Sequence, residues 1–217
     1  GLSSVSQSAD KKVFTILQLR LHERVIALKK EVEDQLKSDP THIFDVELTY
    51  ITSRGNWYYA SWKGDEEKSG GIATNIGVHF FDMLHWIFGP VQHQKVHVRS
   101  HDRASGVLSF KNANVRWFLS INAATLPETV VQNGGRIHRS LRFDQWSFDF
   151  TEGFTELHSR SYAHILNGDG FSERDAHAAI SIVHGMRESQ ISPLDSEAHS
   201  LASLPQDLHP FYPIKES

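Results

Sequence analysis

The stretch Ser69-Gly70-Gly71-Ile72-Ala73-Thr74-Asn75-Ile76-Gly77-Val78-His79-Phe80-Phe81-Asp82 decides how this chain is read. Two glycines open a helix. Asn75, His79 and Asp82 then follow at i, i+4 and i+7, a spacing that puts them on one helical face. The positions around them are apolar: Ile72, Ile76, Val78, Phe80, Phe81, Met83, Leu84, Trp86, Ile87 and Phe88. A histidine in such a wall is either a satisfied core residue or a catalytic one. As a catalyst, a neutral His79 takes a proton from a hydroxyl while hydride leaves the same carbon. Asp82 would fix its tautomer and Asn75 would orient the substrate. As a core residue, His79 would be buried and Asp82 would cap or pair locally. A metal is the weakest reading, because asparagine is a poor transition-metal ligand.

Upstream of this helix, residues 13–19 are β-branched and apolar and predict a buried strand. Residues 23–37 predict a helix, with Val25, Leu28, Val32 and Leu36 on one side and charged residues on the others. Asp39-Pro40 ends it. Residues 43–51 alternate apolar and polar and predict a half-buried strand. A polar, aromatic loop is expected from Ser53 to Lys68. Within it, Arg54, Tyr58 and the neighbouring aromatics suit a carboxylate or phosphate clamp beside a stacking surface. A solvated loop with its aromatics folded onto the core is the competing reading. Lys63 and Lys68 flank Asp65-Glu66-Glu67 and fit surface charges equally well. Gly89-Pro90 closes the central helix.

From residue 91 the period changes to two. Strands are expected around Val96, over 107–110, over 115–123 and, as one long strand, over 139–150. Lys111–Asn114 and Asn133-Gly134-Gly135 are turns. Two helices follow: Phe154–Asn167, and one begun by Ser172 and Asp175 with Ala176, Ala179, Ile180, Val183 and Met186 on its apolar face. His158, Arg160 and Tyr162 either reach a ligand or line a solvated helix face. Strands flanked by helices give an α+β fold, an open, mainly antiparallel sheet with helices on one face. Trp117 and Phe118 are neighbours, and Trp146, Phe148 and Phe150 form a stripe. Apolar residues on both faces predict a sheet-mediated interface. Residues 1–12 read as a ragged start, 13–190 as the α+β domain and 191–217 as a tail, either a surface wrap or a linker.

With 217 residues, 39% of them hydrophobic, the chain can bury a substantial core. Basic and acidic residues are mixed without a basic stripe, which argues against nucleic acid. There is no cysteine, so disulfides and thiolate metal sites are excluded, and the composition fits a reducing compartment. His79, Asp82 and His85 interrupt the longest apolar run, so it is not a membrane span. The first residues lack the pattern of a signal peptide. No Gly-x-Gly-x-x-Gly fingerprint follows a strand, and there is no Walker-type loop.

The segment from Ser69 to Asp82 resembles the Gly-Gly-(Gly)-x-x-x-Asp-x-Gly-x-His-x-x-Asp signature of the Gfo/Idh/MocA oxidoreductases. Longer stretches are similar to one branch of that family, the UDP-N-acetyl-glucosaminuronate 3-dehydrogenases. They are Phe14–His22, Tyr50–Tyr58, Thr74–Asp82, Phe154–Tyr162 and Gly168–Phe171. Most of the family has aspartate where Asn75 stands; asparagine is usual in this branch. The resemblance covers roughly residues 13–190. It implies the C-terminal, substrate-binding and oligomerisation half of a cytoplasmic NAD-dependent enzyme of surface-polysaccharide (lipopolysaccharide O-antigen) synthesis. The Rossmann half, with its Glu-Lys-Pro lysine, is not in these residues, and the isolated chain is expected to be inactive and not to bind NAD. The resemblance further implies that His79 and Asn75 are catalytic and that the substrate is a nucleotide sugar. Arg54 and Lys68 are candidates for the uronate or diphosphate charges, with Tyr58 and Asp82 completing the substrate set. A homodimer or homotetramer is implied. The rival is a stand-alone, non-catalytic module for nucleotide-sugar binding or assembly. A dinucleotide fingerprint encoded upstream of Gly1 would decide between them.

Overall fold

The computed structural model describes residues 9, 11–144, 146–150, 153–154 and 156–211. Most of the ragged start, Glu152, Thr155 and the last six tail residues lie outside that set. In chain order the helices are α1 (Glu23–Ser38), α2 (Asn56–Ala60), α3 (Glu66–Ser69), α4 (Gly71–Asn75), α5 (Gly77–Phe88), α6 (Glu128–Gln132), α7 (Leu157–Leu166) and α8 (His177–Glu188). The strands are β1 (Phe44–Thr52), β2 (Val91–Arg99), β3 (Arg103–Phe110), β4 (Ala113–Ser120), β5 (Ile137–Phe143) and β6 (Trp146–Asp149). They form one sheet in the order β2-β3-β4-β1-β5-β6. Only the β1–β4 pair is parallel. This is the open, mainly antiparallel α+β sheet that the alternation predicts.

Register assigns the two faces. Phe44, Val46, Leu48 and Tyr50 of β1 align with Val115 and Trp117 of β4 and with Leu141 and Phe143 of β5. This face packs on α1 and α5: Phe44 meets Phe88, Tyr50 meets Phe80 and Trp117 meets Phe81. Burial of such apolar surface, about 25 cal/mol per Å², is the main force holding the helices to the sheet. Trp146, Phe148 and Phe150 also fall on the helix side. Of the five aromatics expected to cover two faces, only Phe118 points to the far one. That face is not bare, because the chain folds back over it. Ser192 N–H donates to the Val96 carbonyl, His199 stacks on Phe118 at 5.4 Å, and Arg103 donates to the carbonyls of Leu204 and Pro205. Apolar residues on the far face therefore meet the chain's own tail and do not by themselves mark an interface.

Other expectations change for local reasons. Residues 13–19 do not form a strand. They make one bridge, Phe14 to Ser172, and then a 3₁₀ turn, Gln18–Leu21. The turn buries Leu19 under the helices and carries Arg20 inward. The loop 53–68 is largely helical. The long strand over 139–150 breaks at Asp144, which adopts φ 49°, a left-handed conformation that aspartate tolerates. Its carboxylate accepts from the Asp45 N–H at 3.0 Å. Beyond it, Trp146–Asp149 returns as β6. On α8, Ile180 is exposed and Ile182 takes its place in the core. Ser172 and Asp175 do bond each other, but α8 begins two residues later, at His177.

Candidate active site

The helix expected over the Gly-Gly segment is two helices. Gly70 and Gly71 both take φ +74°, which turns the chain from α3 into α4. A second break falls at Ile76. It precedes Gly77, where a Cβ would lie 2.6 Å from Phe81 and 2.8 Å from Leu119. Glycine there brings the start of α5 close against the sheet. Because of the break, Asn75 and His79 are not consecutive turns of one regular helix. Asn75 ends α4, and its amide donates to the Tyr58 hydroxyl at 2.8 Å. His79 sits in the first turn of α5.

His79 is half-buried, and neither ring nitrogen has a hydrogen-bond partner among the described residues. Burial holds its imidazole below the usual range. Asp82 opposes that shift and His158 of α7 adds to it. The ring is therefore neutral at pH 7, as a proton acceptor must be. Tyr58 is buried, and burial raises its phenol, while the Asn75 bond and the nearby Arg54 charge act the other way. Its hydroxyl accepts from Asn75, and its own proton has no acceptor among the described residues. Arg54 lies just past β1. Its backbone N–H donates to the Ile121 carbonyl at 3.0 Å, and its side chain is exposed. The structure thus links Tyr58 to Asn75 by a hydrogen bond and sets the Arg54 charge near the Tyr58 phenol, while the charged and titratable neighbours of His79 are Asp82 and His158.

Two expected members lie elsewhere. Asp82 is 1% exposed, and both carboxylate oxygens accept from Arg20, at 2.7 and 3.0 Å. It lies in the protein interior. Lys68, on the exposed side of α3, pairs with Asp65 at 2.7 Å.

Sequence reasoning passed over Arg139. It lies opposite Tyr50 on β5, with its guanidinium 5.1 Å from the Tyr50 ring and 3.9 Å from that of Phe154. The signal was available: Arg139 shares the parity of Leu141 and Phe143, and so points a cation toward the helix side. Arg20 was passed over for want of any local pattern. Among the described residues, no group of three His, Asp or Glu side chains is placed to hold a metal. No helix there is long and apolar enough to cross a membrane.

Residues 40–138 match the model of the oxidoreductase family C-terminal alpha/beta domain, Gfo/Idh/MocA. The WlbA (WbpB) dehydrogenase from Thermus thermophilus, solved with NAD and alpha-ketoglutarate, is 42% identical. It superposes with a TM-score of 0.83 over 90% of this chain and 62% of that one. The same enzyme solved with NAD and UDP-GlcNAcA is 41% identical, with a TM-score of 0.83 over 91% and 62% of the two chains. The WlbA dehydrogenase from Bordetella pertussis shares the fold at 18% identity, with a TM-score of 0.60 over 86% and 64%. The chain thus spans about 62% of the length of its Thermus relatives.

Proposed function

We propose, from the premise that the chain belongs to the Gfo/Idh/MocA oxidoreductase family as its C-terminal α+β domain, that it forms the substrate side of an NAD-dependent dehydrogenase. The substrate is a UDP-N-acetyl-hexosaminuronate, oxidised at its 3-hydroxyl for surface-polysaccharide synthesis. The observation that carries this reading is His79, a half-buried imidazole that burial holds below its usual range, with no hydrogen-bond partner among the described residues. It is joined by the likeness to an enzyme solved with UDP-GlcNAcA.

In this reading His79 takes the proton of the 3-hydroxyl. Asn75 and the Tyr58 hydroxyl hold the sugar, with Asn75 setting its angle to His79. Arg54 is exposed, where it can meet the uronate or the diphosphate as a charge-assisted partner.

NAD does not fit the residues described. No strand among them leads through a glycine-rich turn into a helix N-terminus, the arrangement that cradles a dinucleotide pyrophosphate. Gly70-Gly71 follows α3 rather than a strand, and β1 leaves through Ser53-Arg54-Gly55. NAD binding therefore belongs to a dinucleotide-binding domain of the parent enzyme, and the isolated chain would be inactive. The enzyme would be cytoplasmic and a homodimer or homotetramer. In support of assembly stands the edge strand β6, on which Trp146 is 63% exposed.

The test uses the parent enzyme with its nucleotide-binding domain. His79→Asn should lower kcat by roughly 100-fold while nucleotide-sugar binding changes little. A kcat within about threefold of wild type would return His79 to the core reading.

A further inference from the structure

Asp82 raises a question that the proposed reaction does not answer. Helical spacing of i, i+3 places it one turn from His79, where a carboxylate normally captures an imidazole and keeps it protonated. It does not do so here. Its two oxygens are taken by Nε and Nη2 of Arg20, at 3.0 and 2.7 Å, in a fork-to-fork pair. Both partners are buried, with side-chain exposures of 9% for Arg20 and 2% for Asp82. Arg20 is itself held from other sides. It donates to the Asp175 carbonyl at 3.1 Å, lies 3.7 Å from the Asp175 carboxylate and sits over the Phe171 ring at 5.3 Å.

We propose that Arg20 is a positioning residue for His79: it binds both oxygens of Asp82 and so keeps that carboxylate from pairing with the imidazole one turn earlier. The proposal rests on the reading of His79 as the proton acceptor. Among the described residues, the charged and titratable groups on the elements packed about His79 and its Asp82 neighbour are these. Asp82 is on its own helix, Arg20 comes from the 3₁₀ turn, Asp175 lies behind Arg20, and His158 comes from α7. His85, one turn beyond Asp82, feels both Asp82 and Arg20. Asp82 is the neighbour that favours a protonated His79, and among the described residues Arg20 is the cation bonded to it.

The consequence is a pair of opposite effects. Without Arg20, Asp82 is a bare carboxylate in a buried place, and it stabilises the imidazolium. Without Asp82, the Arg20 cation remains and disfavours the imidazolium. With both neutralised, the two effects cancel. A purely structural ion pair predicts no such sign reversal.

The experiment is an NMR titration of the His79 ring in the 217-residue chain labelled at histidine, with the signal assigned by its loss in His79→Gln. In Arg20→Gln the His79 midpoint should rise by about one pH unit. In Asp82→Asn it should fall. In the double variant Arg20→Gln/Asp82→Asn, which keeps the shapes and removes both charges, it should return near the wild-type value. Arg20→Lys, which retains a cation but not the fork, should lie between wild type and Arg20→Gln. If Arg20→Gln does not fold, the Asp82→Asn and double variants still carry the test. Midpoints that stay put, or that move the same way in both single variants, overturn the proposal. This readout needs no turnover, so it stands apart from the kinetic test of His79 as a base.

Discussion

The returning tail is pinned at a group that acid should release. His199 is 2% exposed, between Phe118 and the far side of β1. Its Nδ1 accepts the Leu201 N–H at 3.1 Å, so the ring proton is on Nε2, which donates to Thr49 Oγ1 at 2.9 Å. A second proton would destroy the Leu201 bond and place a charge in an apolar slot. Burial, with Arg116 and Arg142 nearby, accordingly pushes His199 down to about 3. In the unfolded chain it titrates near 6.5. Above that value both states are neutral and His199 adds no pH dependence. Below it the unfolded state takes up a proton that the folded state refuses, so stability falls until the folded ring also protonates near 3. Each pH unit costs about 1.4 kcal/mol, which makes about 2 kcal/mol between pH 7.5 and pH 5. His79, His85 and His101 are also lowered by burial and add to the total slope. His199→Asn isolates the one contribution: asparagine can still accept the Leu201 N–H as a cap but cannot titrate. Urea denaturation followed by tryptophan fluorescence at both pH values should show the variant less stable at pH 7.5. Its acid loss should be smaller than wild type's by about 2 kcal/mol. Equal acid losses in the two proteins would refute the reasoning.

Other expectations can be checked alongside. Asp82→Ala leaves Arg20 buried without its carboxylate and should destabilise the chain by about 3–5 kcal/mol; an unchanged urea midpoint would show the pair to be dispensable. In the parent enzyme, Arg54→Ala should raise KM more for a uronate substrate than for its 6-hydroxy analogue, by the roughly 1.5–3 kcal/mol of a charge-assisted hydrogen bond. Equal losses for the two substrates would assign Arg54 to the diphosphate. Gly106→Ala would put a Cβ 2.1 Å from the Lys95 carbonyl oxygen and 2.8 Å from Trp117, so it should disrupt the β2–β3 pairing and lower the thermal midpoint. Calorimetry of the 217-residue chain should detect no NAD binding, and micromolar binding would falsify the account of its architecture.

What could be read from the residues alone followed from periodicity. The helix at 23–38 and the strands around 44–52 and 113–120 carry their period in consecutive residues, because each has one face against a single core. The failures are places where a distant partner outweighs the local pattern. Residues 13–19 have the composition of a strand, yet no sheet edge is offered to them. Their worth lies in burying Leu19 and delivering Arg20 to Asp82. Phe118 looks like an exposed anchor for another chain until His199, eighty-one positions later, stacks on it. Nothing near either residue announces the other.

The site divides along the same line. His79 and Asn75 were legible because a polar group in an apolar wall needs a reason, and Tyr58 because a loop tyrosine beside an arginine suggests recognition. Asp82 stood out by the same logic and by helical spacing, yet spacing alone does not distinguish a side chain that meets the substrate from one that meets the protein. Regular helical geometry would have set all three polar groups on one stripe. The break at Ile76 turns Asn75 toward Tyr58, and the fork of Arg20 draws Asp82 into the interior. The stripe therefore separates into a hydrogen-bonded Asn75–Tyr58 pair and a buried Asp82 anchor. His79 is left without a hydrogen-bond partner among the described residues, the condition under which an imidazole can accept a proton from outside the chain.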